Sequence, residues 1–259
     1  MTDLVTSGDA GGVLTVTLRR PEKRNALSRP LIAELARTFT GWRDRADIVV
    51  AVLIGEGGKA FASGGDLKEL AAVRTEAESL AFAEDTRAAL DTIRRFPVPV
   101  VAALNGDALG GGAELALACD IRFAAPHARI GFLQGTLAIS TAWGGGTDLF
   151  RLVGPARALL LLATAEALGA DRALGLGLID AVADPAEPFA DALAAFVGRL
   201  AVRRPQVMRA FKALAIAHRD GAPAADMAAI ETRAFAETWV HADHWEAVDT
   251  VFNRRGRGG

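Results

Sequence analysis

Two glycine-rich turns, each set between a buried strand and a helix, constrain this chain more than any other feature. The first is Phe61-Ala62-Ser63-Gly64-Gly65-Asp66-Leu67. The second is Asn105-Gly106-Asp107-Ala108-Leu109-Gly110-Gly111-Gly112-Ala113-Glu114-Leu115. Adjacent small residues let a backbone approach a ligand closely and leave N–H groups aimed outward. Taken alone, the first turn reads equally well as a surface connection. In the second, three glycines run directly into an apolar helix. The start of that helix presents unsatisfied N–H groups and the positive end of its dipole. Glu114 falls in the first turn of the helix, either as a solvated carboxylate complementing the dipole or as an acid/base beside the donors. Neither turn fits a nucleotide loop: Gly110-Gly111-Gly112 is not GxGxxG, and GxxxxGK[ST] does not occur. Lying about 46 residues apart, the two turns can set one N–H each on a single oxygen. That is an oxyanion hole, suited to a thioester enolate.

The pattern around the turns sets the fold class. Residues 13–18 alternate apolar residues with threonine, as a strand does. Leu31, Leu35 and Phe39 have helical spacing, with Ser28 as N-cap and Pro30 in the first turn. Residues 48–54 and 97–104 read as strands buried on both faces, 76–96 as a long helix between them, and 121–123 as a short strand. This alternation predicts an α/β fold with crossovers. After Gly144 the character changes. Residues 147–162 and 189–240 are rich in Ala and Leu and read as helical, with 178–182 as the one strand candidate between them. The expected division is an α/β core over 1–185 and a helical region over 186–259, packed on the core or on another subunit.

Composition narrows the chemistry. With 259 residues, 51% hydrophobic and 23% charged, the chain reads as one large globular unit with a sizeable core. Its 29 Lys plus Arg against 31 Asp plus Glu give no support for binding nucleic acid or an anionic membrane. The RGG-like tail from Arg254 to Gly259 is the sole pointer to RNA and reads as a solvated end. Cys119 is the only cysteine, so no disulfide or CxxC pair is expected; it reads as a buried, inert thiol, and a cytoplasmic setting fits. There is no tyrosine, hence no phenol. The four histidines, 127, 218, 241 and 244, form no HExxH and lack cysteine partners, so no metal site is expected. Residues 1–10 carry acids and no apolar run, which reads against a signal peptide. The most apolar stretch, 158–165, is too short to span a bilayer. The chemistry is left to backbone N–H groups and carboxylates.

Five segments then carry a resemblance. Arg20-Pro21-Glu22-Lys23-Arg24-Asn25-Ala26-Leu27 is similar to an RP…NAL segment, residues 61–67 to FxAGADL, and residues 105–122 to NGxAxGGGxELALACDxR. Residues 143–154 are similar to GGTxRLxRxVG and residues 246–255 to EGxxAFxEKR. In this order they resemble the enoyl-CoA hydratase/isomerase (crotonase) superfamily over nearly the whole chain. The resemblance implies a spiral of ββα units with a C-terminal helical region that joins subunits into homotrimers or hexamers. It implies an acyl-CoA thioester as substrate and no separate cofactor. The thioester carbonyl falls to the N–H groups of Gly65 and Gly111. Ser63, Gly65 and Leu67 map to the adenine-contacting backbone, and Arg24 and Ala26 to a second CoA-contacting segment. Lys68 and Arg254 map to phosphate contacts. Asp66 belongs either with the CoA-binding loop or as a cap of the next helix.

Hydratases of this family use two glutamates. The first maps to Glu114. The second maps to Gln134, twelve residues before the position of the GGT threonine, or to Gly135 if the register slips by one. Neither is a carboxylate, and an amide orients water or thioester without exchanging a proton near neutral pH. The loop over 132–143 instead resembles, in part, ethylmalonyl-CoA decarboxylase-like members, through Phe132-Leu133-Gln134 and Ala142-Trp143-Gly144-Gly145. The expected function is an acyl-CoA lyase working through an enolate, hydratase-like by family default. Decarboxylation of a branched malonyl-CoA, with Glu114 as proton donor, and double-bond isomerisation are the alternatives. A non-catalytic CoA- or RNA-binding protein on the same fold is the reading from another class. Trp143 and Trp239 are candidates either for the acyl pocket or for core and interface.

Overall fold

The alternation in residues 13–18 works as a strand with one buried edge: Leu14, Val16 and Leu18 point inward. The computed structural model describes residues 4–255, with the side chains of Arg254 and Arg255 excluded. Residues 256–259 of the tail that pointed to RNA, and the Arg254 side chain, lie outside the described residues. In chain order, β1 (Val5–Ala10) and β2 (Val13–Leu18) lead to α1 (Arg29–Trp42). Ser28 caps α1 by accepting from the Leu31 N–H, and Leu31, Ile32, Leu35 and Phe39 are its buried face. Next come β3 (Val50–Gly55), β4 (Ala60–Ala62), α2 (Leu67–Leu70) and α3 (Glu76–Arg94). Thr75 and Glu78 form a capping box at the start of α3. Then follow β5 (Val100–Leu104), β6 (Asp107–Leu109), α4 (Gly111–Ala118), β7 (Ile121–Ala124) and β8 (Arg129–Gly131). The chain continues through α5 (Gly145–Val153), α6 (Pro155–Thr164), β9 (Ala167–Gly169), α7 (Ala170–Gly175) and β10 (Ala181–Val182). It ends in α8 (Phe189–Ala201), α9 (Pro205–Arg219), α10 (Ala224–Trp239) and α11 (Ala242–Arg255).

The strands form two sheets. The larger has the order β1-β2-β3-β5-β7-β10, the smaller β4-β6-β8-β9. Three times in succession, a strand of the large sheet is followed by a short strand of the small sheet and then by helix: β3-β4-α2, β5-β6-α4 and β7-β8-α5. The ββα repeat expected from the resemblance is thus the building unit. In the large sheet every pairing after β1-β2 is parallel, and β5 is buried along its whole length between layers. β4 and β6 also run parallel, with Ala60 opposite Asp107 and Ala62 opposite Ala108. This pairing brings the two glycine turns together, because each turn leaves its strand at the same edge.

Several elements differ from the sequence expectation. The helical stretch after Gly144 is two helices, broken where Gly154 takes φ +79° and Pro155 opens α6. The 189–240 stretch is three helices, two of them opened by or directly after Pro205 and Pro223. The strand expected over 178–182 shrinks to Ala181–Val182. From residue 189 onward all described elements are helices, and Phe211, Phe235, Trp239, Trp245 and Phe252 are exposed on them. No described helix is long and apolar enough to cross a membrane.

Candidate active site

The first donor is set by strand pairing. Residues 24–27 run beside the first glycine turn: Ser63 N–H donates to Arg24 O at 3.1 Å, Leu27 N–H to Gly64 O at 2.7 Å, and Asp66 N–H to Leu27 O at 3.0 Å. Gly64 and Asp66 therefore face Leu27, and the alternation of an extended chain turns Gly65 to the other side. There its N–H donates to no backbone carbonyl among the described residues. Arg24 and Ala26 thus act as the rail that holds the turn, and Ala26 O in turn accepts from the Arg20 guanidinium.

The second donor is the first N–H of α4. Gly110 takes φ +53° and donates to Gly131 O, which sets Gly111 at the helix start with its N–H unclaimed by any described backbone carbonyl. A Cβ position on Gly64 lies 3.7 Å from Gly111 N, so the turns are in contact. Gly112 lets α4 sit directly on β4, since a Cβ there would overlap the Ala62 carbonyl.

Glu114, one helical turn on, is 2% exposed. Its Oε1 accepts from Gln134 Nε2 at 2.8 Å. Its Oε2 accepts from the N–H groups of Trp143 at 2.9 Å and Gly145 at 3.0 Å, the latter at the N-terminus of α5. Burial pushes the carboxyl above the usual carboxylate range, against the opposing pull of those three donors. The proton-binding form is thereby favoured, as an acid/base needs. Gln134 sits in a short 3-10 turn, and its side chain, not a neighbour's, meets Glu114. Its Oε1 is buried without a partner among the described residues. A buried acceptor left open beside an acid is a place for a donor from outside, water or substrate.

The sequence reading missed the cradle around Glu114. A Cβ at Gly145 would overlap the glutamate side chain, so this glycine is required for the close approach. Arg94 holds the cradle from behind: it donates to Trp143 O and to Asp148 Oδ2, each at 2.9 Å, and is itself buried. The available signal was the run Gly144-Gly145-Gly146 ahead of a helix, the same pattern that Gly110-Gly111-Gly112 shows ahead of α4. The Trp143 ring lies on the donor side, against Gly111 and near Gly65.

Asp66 corrects an expectation. It stands at the start of α2 but its side chain makes no cap. The carboxylate instead pairs with Arg20 at 2.8 Å and Lys23 at 3.4 Å, and the Arg20 contact holds it below the usual range. Its carboxylate is thus engaged within the loop. Leu67 and Lys68 follow, exposed. Beside the first turn, Arg24, Lys59, Ser63, His127 and Arg129 line a cleft of about 410 Å³. Cys119 is buried, its thiol pushed up to about 12 by burial.

A model of the enoyl-CoA hydratase/isomerase family matches residues 8–256. The chain belongs to that family. The short-chain-enoyl-CoA hydratase of Clostridium acetobutylicum is 36% identical to it, over 68% of this chain and 67% of the relative. The (E)-benzylidenesuccinyl-CoA hydratase of Thauera aromatica is 35% identical over 80% of each. A crystal structure of an enoyl-CoA hydratase from Bacillus anthracis superposes with a TM-score of 0.90 at 31% identity, covering 97% of both chains. The fold is accordingly that of the enoyl-CoA hydratase/isomerase family. The chain is an acyl-CoA-processing enzyme of this family, hydratase-like, and the similarities do not favour a decarboxylase or isomerase over that reading.

Proposed function

We propose that this enzyme adds water across the 2,3 double bond of a 2-enoyl-CoA, with Glu114 as its only proton-transferring side chain. The observation that carries the reading is the Glu114–Gln134 contact beside two unclaimed N–H groups. Gly65 and Gly111 hold the thioester oxygen. Water attacks C3, its O–H bond breaks, and Glu114 takes the proton. The electron pair of the double bond moves through C2 to the thioester oxygen, where the two N–H groups stabilise the enolate. Glu114 then returns the proton to C2, which restores the thioester. Gln134 exchanges no proton; its open Oε1 accepts the second O–H of the water while its Nε2 stays on Glu114.

The cationic cleft beside Ser63 suits the phosphates of CoA, with Arg24 and Lys59 forming no ion pair among the described residues. Ala26, Leu67 and Lys68 border the same loop, and Asp66 positions it through Arg20. No cofactor beyond the substrate's own CoA is needed for these steps. The exposed aromatic residues of α9–α11 support a homotrimer or hexamer, and a buried single thiol fits a cytoplasmic enzyme.

The test offers crotonyl-CoA, a 3-enoyl-CoA and ethylmalonyl-CoA to the purified enzyme. Loss of the conjugated enoyl absorbance with formation of 3-hydroxyacyl-CoA is expected. Carbon dioxide release from the malonyl thioester alone would replace hydration with decarboxylation.

A further inference from the structure

We infer that Trp143 sets the substrate range, admitting short, flat 2-enoyl thioesters and excluding long acyl chains; the inference rests on the hydratase reading above. Trp143 borders every part of the chemistry. Its ring lies so close to Gly111 that a Cβ there would overlap ring carbons, and the Cβ position of Gly65 is 3.6 Å from its Cη2. Its backbone N–H is one of the donors to Glu114. The carbons that react must lie between the two donors and the Glu114 carboxylate, so C2 and C3 of any substrate pass this indole.

The wall does not yield easily. The Trp143 ring meets Phe82 edge-on, at 5.8 Å between centroids and 89° between planes. Arg94 holds the residue's carbonyl, and Trp143 is only 7% exposed. Leu70 closes the side nearest the first donor, with its Cδ1 2.7 Å from the Gly65 Cβ position. A conjugated enoyl thioester is planar and fits along a ring face. A longer acyl chain needs the volume that the indole, Phe82 and Leu70 occupy. The absence of a side chain at Gly111 allows the indole to come this close and that at Gly65 makes room for Leu70, so donor glycines and acyl wall fit as one unit.

The test is a 2-enoyl-CoA series from four to ten carbons, with wild type, Trp143→Ala and Trp143→Phe. Each variant keeps the backbone N–H on Glu114. In the wild type, kcat/KM is expected to fall at least about 10-fold from four to ten carbons. In Trp143→Ala the ten-to-four-carbon ratio of kcat/KM is expected to rise at least about 10-fold, as for other pocket methylenes. Trp143→Phe should fall between. An unchanged ratio in folded variants overturns the inference. If Trp143→Ala melts too low to assay, Trp143→Phe and Trp143→Leu carry the comparison. Failure of the hydratase reading shows separately, as a wild type that hydrates none of the series. In that case calorimetric Kd values for butyryl-CoA and decanoyl-CoA read the same wall without turnover, and a ratio unmoved by Trp143→Ala overturns it.

Discussion

The two walls of the active site are made from different material. The donor wall, residues 63–66 and 109–112, presents the main-chain N–H groups of Gly65 and Gly111, which meet no backbone carbonyl among the described residues. Its sequence requirement is mostly the lack of side chains, as at Gly112 against the Ala62 carbonyl. The acid wall, residues 132–145, works through Gln134, Trp143 and the N–H groups of Trp143 and Gly145 around Glu114. In the proposed reaction the first wall supplies enolate stabilisation to any thioester that reaches it. In the same proposal the second decides where protons go and which acyl group fits. On that proposal the chemistry common to thioesters rests on the first wall, and the particular reaction on the second.

The strongest way to break this contrast is at the group between the walls. Glu114→Gln should lose about 10²–10⁴ in kcat/KM, the range for a removed acid/base, while the fold survives. An amide oxygen there can still accept from Trp143 and Gly145, and Gln134 can rotate to present its oxygen. The sign for stability follows from the raised carboxyl. Its contribution is full below the unfolded value and is lost as pH rises through the folded one. Glu114→Gln removes that loss, so its melting temperature should gain on wild type as pH rises. Full activity in this variant would end the assignment.

Gly112→Ala should damage the donor wall through packing alone, because its new Cβ meets backbone that cannot rotate away. A loss of about 1–3 kcal/mol in chemical denaturation is expected, with activity following stability. Normal stability with normal activity would contradict the close seating of α4 on β4.

Gln134→Glu sharpens the acid wall. If Glu114 must be ionised to take the water proton, kcat/KM rises with pH through a value above the ordinary 4.5. A second carboxylate at 134 repels the first and should move that limb further up. A pH–rate profile over about pH 5 to 9 checks both points; a limb that stays or moves down would remove Gln134 from contact with the reacting acid. The smallest effect belongs outside both walls. Asp220→Asn breaks only an exposed pair with Arg95, and its unfolding free energy from chemical denaturation should shift by less than about 0.5 kcal/mol.

The contrast also explains what was legible in the sequence. β2, β3 and β5 announced themselves because alternation or continuous apolar burial extends over five or six residues. The small sheet did not, because β4, β6, β8 and β9 are three residues each and show no period. The donor glycines and Glu114 could be read from local order along the chain. The cradle could not: Arg94 reaches Trp143 across 49 positions, and only the family resemblance placed Gln134 beside Glu114, across 20. Such contacts depend on where helices α3, α4 and α5 converge, which no local pattern reports. Asp66 shows the same limit, since its choice of Arg20 over a helix cap spans 46 positions.

The turn at 143–145 has one more consequence, for how such an enzyme changes over generations. Trp143 gives its amide hydrogen to Glu114 and, in the inference above, its ring to the acyl wall. Any residue but proline keeps the first gift while altering the second. A lineage can therefore explore new acyl groups at this position by single substitutions, without passing through ancestors whose acid has lost that bond.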